Sequence, residues 1–414
     1  MNVAVIGGGF TGLACASSLV DENVSVTLFE QSSHLGGLAG GFKDKDWDWN
    51  LEDFYHHIFT NDKDIISLAE KVGWAVSIYC PLTTSFISGK EIQLDSPISV
   101  LRFSELNFVS RLHMGVGLAI LKMIPNGLFL EKYRVVELLP KLIGREGFEK
   151  IWLRLLKAKF GSHYDKVNMA WFWTRVAKRT KNLGYFKEGF ATLAEKIGIY
   201  IEKKGGSILL ETPVNKIKKT ADGVLVDGVL FDAVVITTPA PIAQKIYQET
   251  YIPDIKYLWG QTLILEIKQK FIKGYWMNVL EDNWPFLVVV EHTNMIDKSH
   301  YGENRIIYLG NYLEEGHEQL TMTKEQLIDK YLPYLKKING KFEKNWIKDS
   351  YLVRKPYSQP VFPINYSQLL QKDFTKDGVV FVANMSMVYP FDRGTNYAVK
   401  MGMDIAKRVI EELE

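Results

Sequence analysis

Two cysteines in 414 residues, Cys15 and Cys80, exclude a disulfide framework, and without a Cys-x-x-Cys pair they exclude dithiol exchange and a thiolate metal site as well. We expect a reducing compartment, the cytoplasm, and no bound metal. Surplus charge is equally scarce. Fifty basic against 48 acidic residues leave a net +2, so nothing in the balance directs the chain to nucleic acid. Long apolar runs are missing too: the most apolar stretch, Met114 to Leu130, is broken by Lys122, Pro125 and Asn126 before the ~18 residues that a bilayer span needs. It reads as a core or lid helix in preference to a helix lying on a membrane surface. A basic n-region and a cleavage site are also lacking, so no signal peptide is expected.

What is present is an ordinary folded composition, 47% apolar and 24% charged, long enough for two domains with cores of their own. The first forty residues organise the rest. Val3 to Ile6 is a short apolar strand, Gly7-Gly8-Gly9-Phe10-Thr11-Gly12 is a glycine turn, and Leu13, Ala16 and Leu19 open a helical pattern. A second strand, Val24 to Glu30, ends in an acid. Gly7-x-Gly9-x-x-Gly12 followed by Glu30 has the spacing of a dinucleotide-binding βαβ unit. Gly7 makes the tight turn, Gly9 lets the backbone approach a pyrophosphate, Gly12 lets helix and strand pack, and the helix amides attract phosphate. The Glu30 carboxylate suits ribose hydroxyls and disfavours a 2′-phosphate.

Beyond the acid, Gln31 leads to Leu35-Gly36-Gly37-Leu38. This pair of glycines resembles the segment that lies along the FAD pyrophosphate and ribityl chain in the family of amine oxidases, protoporphyrinogen oxidases, phytoene desaturases and UDP-galactopyranose mutases. The arginine that many members carry there is replaced by His34 and Leu38. Three further stretches carry the same resemblance. Tyr55-His56-His57-Ile58-Phe59-Thr60-Asn61-Asp62 resembles the histidine segment that approaches the flavin in the mutases and in protoporphyrinogen-oxidase-like proteins. Thr212 to Ile217, read as a continuation of the strand Ile208 to Leu210, places Val214 where the family's backbone meets adenine. Tyr389-Pro390-Phe391-Asp392-Arg393-Gly394-Thr395-Asn396 resembles the turn before a closing helix whose first amides, near Thr395 and Asn396, face the flavin pyrimidine. The Gly-Asp usual at the preceding strand end is Ala383-Asn384 here, with Asp392 as a substitute.

The resemblance implies an α/β protein: a Rossmann-like FAD-binding domain, discontinuous over residues 1–78, 183–246 and 375–414, with an inserted α+β substrate domain over 79–182 and 247–374. It implies FAD, held by Gly7, Gly9, Phe10, Thr11, Gly12, Glu30, Gln31, Gly36, Gly37, Leu38, Val214, Asp392, Thr395 and Asn396. Lacking a second Gly-x-Gly-x-x-Gly followed by an acid, the chain has no evident second dinucleotide domain.

In the remaining tracts, Ser85 to Ser88 and Glu91 to Leu94 predict a hairpin turning at Gly89-Lys90, and a helical tract runs to about Lys181. There Phe148, Ile151, Trp152, Leu155, Leu156 and the run Trp171-Phe172-Trp173 read as core. A helix over Leu193–Lys204, strands at Ala233–Ile236, Leu263–Ile267, Leu287–Val290 and Ile306–Leu309, and a helix over Lys324–Lys337 complete the pattern, with a sheet roofing the flavin.

Two chemistries suit these residues. In the first, an oxidoreductase, FAD accepts a hydride from a small or hydrophobic substrate; His56 or His57 takes a proton, Arg393 stabilises negative charge, and Tyr357 and Tyr389 are candidates for an aromatic cage. The alternative is a non-redox mutase acting on a sugar nucleotide. A diphosphate leaving group wants arginine clamps, and Arg175, Arg179 and Arg354 are the candidates.

Overall fold

The computed structural model describes every residue except Ile252, 371–377 and Asp392. A five-stranded parallel sheet runs in the order Ser207–Leu209, Ser25–Phe29, Asn2–Ile6, Ala233–Ile236, Val380–Val382. Its strands come from the chain's start, middle and end. They are near-continuous runs of Val, Ile, Leu and Phe, the composition of strands covered on both faces. The opening helix, Phe10–Asp21, and the closing helix, Thr395–Leu413, pack on each other. Gly402 makes that contact close: a β-carbon there would stand 2.2 Å from the Thr11 carbonyl oxygen.

A seven-stranded sheet runs in the order Ile347–Pro360, Tyr257–Ile267, Arg305–Leu313, Val288–Glu291, Trp276–Val279, Thr83–Ile87, Lys90–Gln93. Period-two alternation gives it two distinct faces. Ile307 and Leu309 pack with Leu327, Ile328 and Tyr331 of the helix Lys324–Ile338, whereas Ile306, Tyr308 and Tyr312 belong to the central core. Beside this sheet stand the helices Phe108–Met123, Val135–Ile143, Leu153–Phe160 and Met169–Ala177. Trp171, Phe172 and Trp173 are buried, as are Phe148, Ile151 and Leu156; Trp152 and Leu155 are half-buried against the same core.

The structure departs from the sequence reading in three places. Thr212 to Lys216 is not strand, because Glu211 takes φ 52° and turns the chain out of the parallel sheet; only Ile217–Thr220 is extended, in a separate antiparallel sheet of three strands. The hairpin turns one residue early, at Ser88 and Gly89, both with positive φ. The third helix boundary lies at Gly189, not Leu193, with Glu188 in left-handed conformation just ahead of it. The expected boundary between residues 374 and 375 lies outside the described residues.

Candidate cofactor and active site

At the dinucleotide end, each glycine has a measurable reason. A β-carbon on Gly12 would lie 2.0 Å from the Gly7 carbonyl oxygen, so the helix starts directly against the turn. Gly9 is different: a β-carbon there would find only the Gly37 Cα, at 3.9 Å, and project into room that protein does not fill. The opening helix begins at Gly9 without a side-chain cap, which leaves its first-turn amides for an anion. Gly9 and Gly36 form a parallel bridge, and the Gly36 amide donates to the Gly8 carbonyl at 2.9 Å, strapping the second glycine pair to the helix start. Glu30 is buried and fixed, accepting from the amides of Gly8 at 2.7 Å and Ser32 at 2.8 Å. Gln31 and Gly37 are exposed beside it and Leu38 is half-buried. The Thr212 amide donates to the Glu30 carbonyl at 2.8 Å, which brings half-buried Val214 close to the acid. An open backbone, unspent helix amides and a held carboxylate are what an adenine dinucleotide requires, so these residues fit FAD.

Lys355 belongs to this end and went unrecognised in the sequence. Its ammonium donates to the Gly37 carbonyl at 2.8 Å and pairs with Asp53 at 2.6 Å, tying the edge strand of the roof to the glycine strap. A lone lysine 318 positions from Gly37 gives no local signal of that contact.

At the other end, the loop from Glu52 to Phe59 lies under the seven-stranded roof. Two roof glycines admit it: β-carbons on Gly260 and Gly310 would stand 2.8 Å from the Phe54 ring and 2.5 Å from the Tyr55 ring. Tyr55 meets Trp276 and Tyr308 edge-on, with centroids 4.9 and 6.0 Å apart, so three aromatic rings form one wall. Tyr308 donates its hydroxyl to the Glu52 carbonyl at 2.9 Å. Trp276, Tyr308 and Tyr312 escaped the sequence reading because a sheet buried on both faces is apolar at every position and hides its parity.

His56 and His57 are neutral in this setting. Burial pushes His56 down to about 4 and His57 down to about 3, with the charges of Arg393 and Arg179 acting in the same direction. Nδ1 of His56 lies 2.6 Å from the Phe54 carbonyl, which can only accept, so that nitrogen carries the hydrogen and Nε2 keeps its lone pair. His57 meets the Tyr275 hydroxyl at 3.3 Å through Nδ1. Desolvation thus lowers both imidazoles below the near-neutral range in which a general base is best poised.

Arg393 is cationic and half-buried, lowered to about 10 mainly by desolvation. It donates to the Ser358 carbonyl at 2.7 Å and stacks over Tyr312 at 4.7 Å. Arg175 stacks over Trp171 at 5.0 Å, and Lys159 lies 5.2 Å from the rings of both Trp171 and Tyr312. Three cations therefore gather on two aromatic rings. Arg354 does not join them: it is spent on Gln261 and on the carbonyls of Gln319 and Met322, on the roof's outer face. Tyr357 and Tyr389 do not make one cage either. Tyr357 packs edge-on with Tyr257, while Tyr389 packs with Phe362 and Tyr366 and donates to Glu131.

The closing helix begins at Gly394, which supplies no side-chain cap, with Thr395 and Asn396 in its first turn. The Asn396 side chain has separate work. Its oxygen accepts from the Ile65 amide at 3.1 Å and its nitrogen donates to Asp64 at 3.1 Å, capping the helix Lys63–Lys71 from outside. Asp62 holds the N-cap position of that helix, but its carboxylate accepts from the Phe59 amide at 2.8 Å instead. Asp392 lies outside the described residues. Among the described residues no His, Cys, Asp and Glu group could hold a metal ion.

Glu52 gives a pH-dependent prediction. Burial raises it to about 7, against the Phe190 amide and Tyr185 hydroxyl that donate to it. The folded state keeps a proton that the unfolded chain releases above about 4.5, so this contribution to stability is complete in acid and lost as pH rises through 7. Relative to wild type, Glu52→Gln should therefore gain about 3 kcal/mol between pH ~4.5 and ~7.5. Urea melts at both values check this; a constant difference would mean that Glu52 is ionised in the fold.

Comparison with known proteins gives one family model, flavin containing amine oxidoreductase, matching residues 10–410. The zeta-carotene desaturase of Synechocystis sp. is 38% identical over 73 residues, 18% of this chain and only 15% of that relative's length. A structure described as a protoporphyrinogen oxidase from Exiguobacterium sp. superposes with a TM-score of 0.78 at 16% identity, covering 100% of this chain and 98% of that one. Reduced UDP-galactopyranose mutase gives 0.77 at 15% identity, covering 99% and 95%. At such identities the structural likeness speaks for the fold alone.

Proposed function

Because the chain belongs to the flavin containing amine oxidoreductase family, whose model it matches over residues 10–410, we propose that it is an oxidoreductase whose FAD takes a hydride from a small or hydrophobic substrate. Bound FAD supplies the two-electron acceptor; the chain's residues bind, orient and exclude water. The opening turn, Glu30 and the Gly36-Gly37 strap hold the dinucleotide. The first turn of the closing helix and Arg393 face the end where negative charge accumulates. The observation that carries the reading is the aromatic cluster of Tyr55, Trp276 and neutral His57, with Tyr308 fully buried against Tyr55, a dry surface against which a C–H bond can be oriented. His56 Nε2 accepts a hydrogen bond from the substrate and so sets its angle of approach. This reading assigns residues 1–78, 183–246 and 375–414 to the cofactor and the remainder to the substrate.

A second reading, a non-redox sugar-nucleotide mutase, is favoured by one observation, the gathering of Lys159, Arg175 and Arg393 on Trp171 and Tyr312, which suits a diphosphate. Anaerobic mixing with panels of amines and polyenes, beside thermal melts with UDP- and dTDP-sugars, separates the two. Bleaching of the flavin band by a hydride donor is the expected result. No bleaching, with a sugar nucleotide raising the melting temperature by about 2 °C or more, would replace the first reading by the second.

A further inference from the structure

The helix Phe108–Met123 wears apolar side chains on its outside. Phe108 is 63%, Val109 74% and Met123 82% exposed, and Leu112, Val116 and Ile120 are exposed with them. At helical spacing these six share one arc of about 120°. The other face is fully used: Met114, Gly117 and Leu121 are buried, and a β-carbon on Gly117 would stand 2.2 Å from the Leu142 carbonyl oxygen of the neighbouring helix. The exposed stripe is therefore not a packing surface left loose. Ile98, Leu101, Phe129 and Tyr133, exposed on the segments before and after, extend it. A patch of this extent on a water-soluble surface marks an interaction site.

Charge identifies what covers it. Residues 97–133 contain Arg102, Arg111, Lys122 and Lys132 but only two acids, Glu105 and Glu131. Glu131 is buried, its carboxylate taken by Ser367 and Tyr389, and Glu105 is half-buried against Ser88. Within this segment what faces outward is thus apolar in the centre and basic around it, and Glu146, which touches the Asn107 cap from a neighbouring helix, is paired with Lys150 at 3.0 Å. On the helix itself His113 and Lys122 fall at the two edges of the apolar arc, where long side chains reach headgroups while the stripe enters the acyl boundary. A second copy of the chain docked through the same face would set the basic rims against each other.

We propose that this face seats on an anionic lipid bilayer, with the helix Phe108–Met123 lying in the plane of the headgroups. No helix among the described residues is long and apolar enough to cross the membrane, so the contact is peripheral. It stands independently of the reaction proposed above. The sequence alone favours a core or lid helix here because the basic flank of the stretch is thin, and an apolar residue does not announce which of two faces is covered.

Co-sedimentation of the FAD-loaded full chain with vesicles tests it. Binding to phosphatidylcholine vesicles containing roughly one third phosphatidylglycerol should exceed binding to phosphatidylcholine alone by ~10-fold or more, and should weaken with salt. The double variant Val116→Glu with Ile120→Glu should lose at least ~10-fold of that binding with its flavin spectrum and melting temperature unchanged. Absence of binding to either vesicle, or binding that the double variant retains, would overturn the proposal. So would a lipid-free dimer that the variant converts to monomer.

Discussion

Gly402→Ala should release FAD from a protein in which no residue of the dinucleotide crevice has been changed. The added β-carbon would stand 2.2 Å from the Thr11 carbonyl oxygen, 2.8 Å from the Ala14 side chain and 2.9 Å from the Cys15 amide nitrogen. Two of these are backbone atoms of the opening helix, so the closing helix must move. Its uncapped first turn moves with it, and so does Asn396, which holds the helix Lys63–Lys71. Overpacking of this kind costs about 1–3 kcal/mol, and a shift of that size in cofactor binding lowers affinity by roughly 10- to 100-fold. The ratio of flavin to protein absorbance after gel filtration reads the loss. Gly115→Ala is the control, since a β-carbon there has nothing within 4 Å. Full flavin retention by Gly402→Ala would show that the two helices do not jointly set the site.

Arg393→Met should lower the flavin reduction potential and slow reduction by substrate. The guanidinium is half-buried yet remains cationic with its pKa at about 10, anchored by the Ser358 carbonyl at 2.7 Å and the Tyr312 ring. Two-electron reduction places negative charge at the end that the closing helix faces, and a fixed cation there stabilises the reduced state. A charged hydrogen-bonding partner of this kind contributes about 1.5–3 kcal/mol, which for a two-electron couple is roughly 30–60 mV. Arg393→Lys keeps the charge and should recover most of the potential, whereas a purely structural arginine would leave the potential unchanged in both variants. Dye-coupled reduction monitored in the visible separates these outcomes.

The first forty residues were readable because their logic is local. Gly12 meets the Gly7 carbonyl and Gly8 and Gly9 meet the strap that begins at Leu35, Gly7 alone meeting only distant Thr237 and Thr238, and the strand-turn-helix order is written contiguously. The closing helix was readable for the same reason, through Gly394, Thr395 and Asn396. The roof was not. Trp276, Tyr308 and Tyr312 face the loop bearing His56 only because five other strands fix the parity of their own, and Leu309 or Met277 looks equally apolar in the sequence. Lys355 reaches Gly37 across more than three hundred residues. The two histidines stand out in the sequence as residues, but their lowered basicity follows from burial under the roof, which no spacing reveals. Val214 comes close to Glu30 through the Thr212 amide, although the strand drawn through it ends in a turn at Glu211.

One crevice, built where the chain's opening and closing helices meet, is shaped for FAD. Titrating deflavinated, folded protein with FAD under equilibrium dialysis tests it most directly. The expected result is uptake of one FAD per chain, with the yellow colour restored and the melting temperature raised. Folded protein that takes up no FAD, or that binds it equally well after Gly9→Val closes the space beside Gly37, would contradict it.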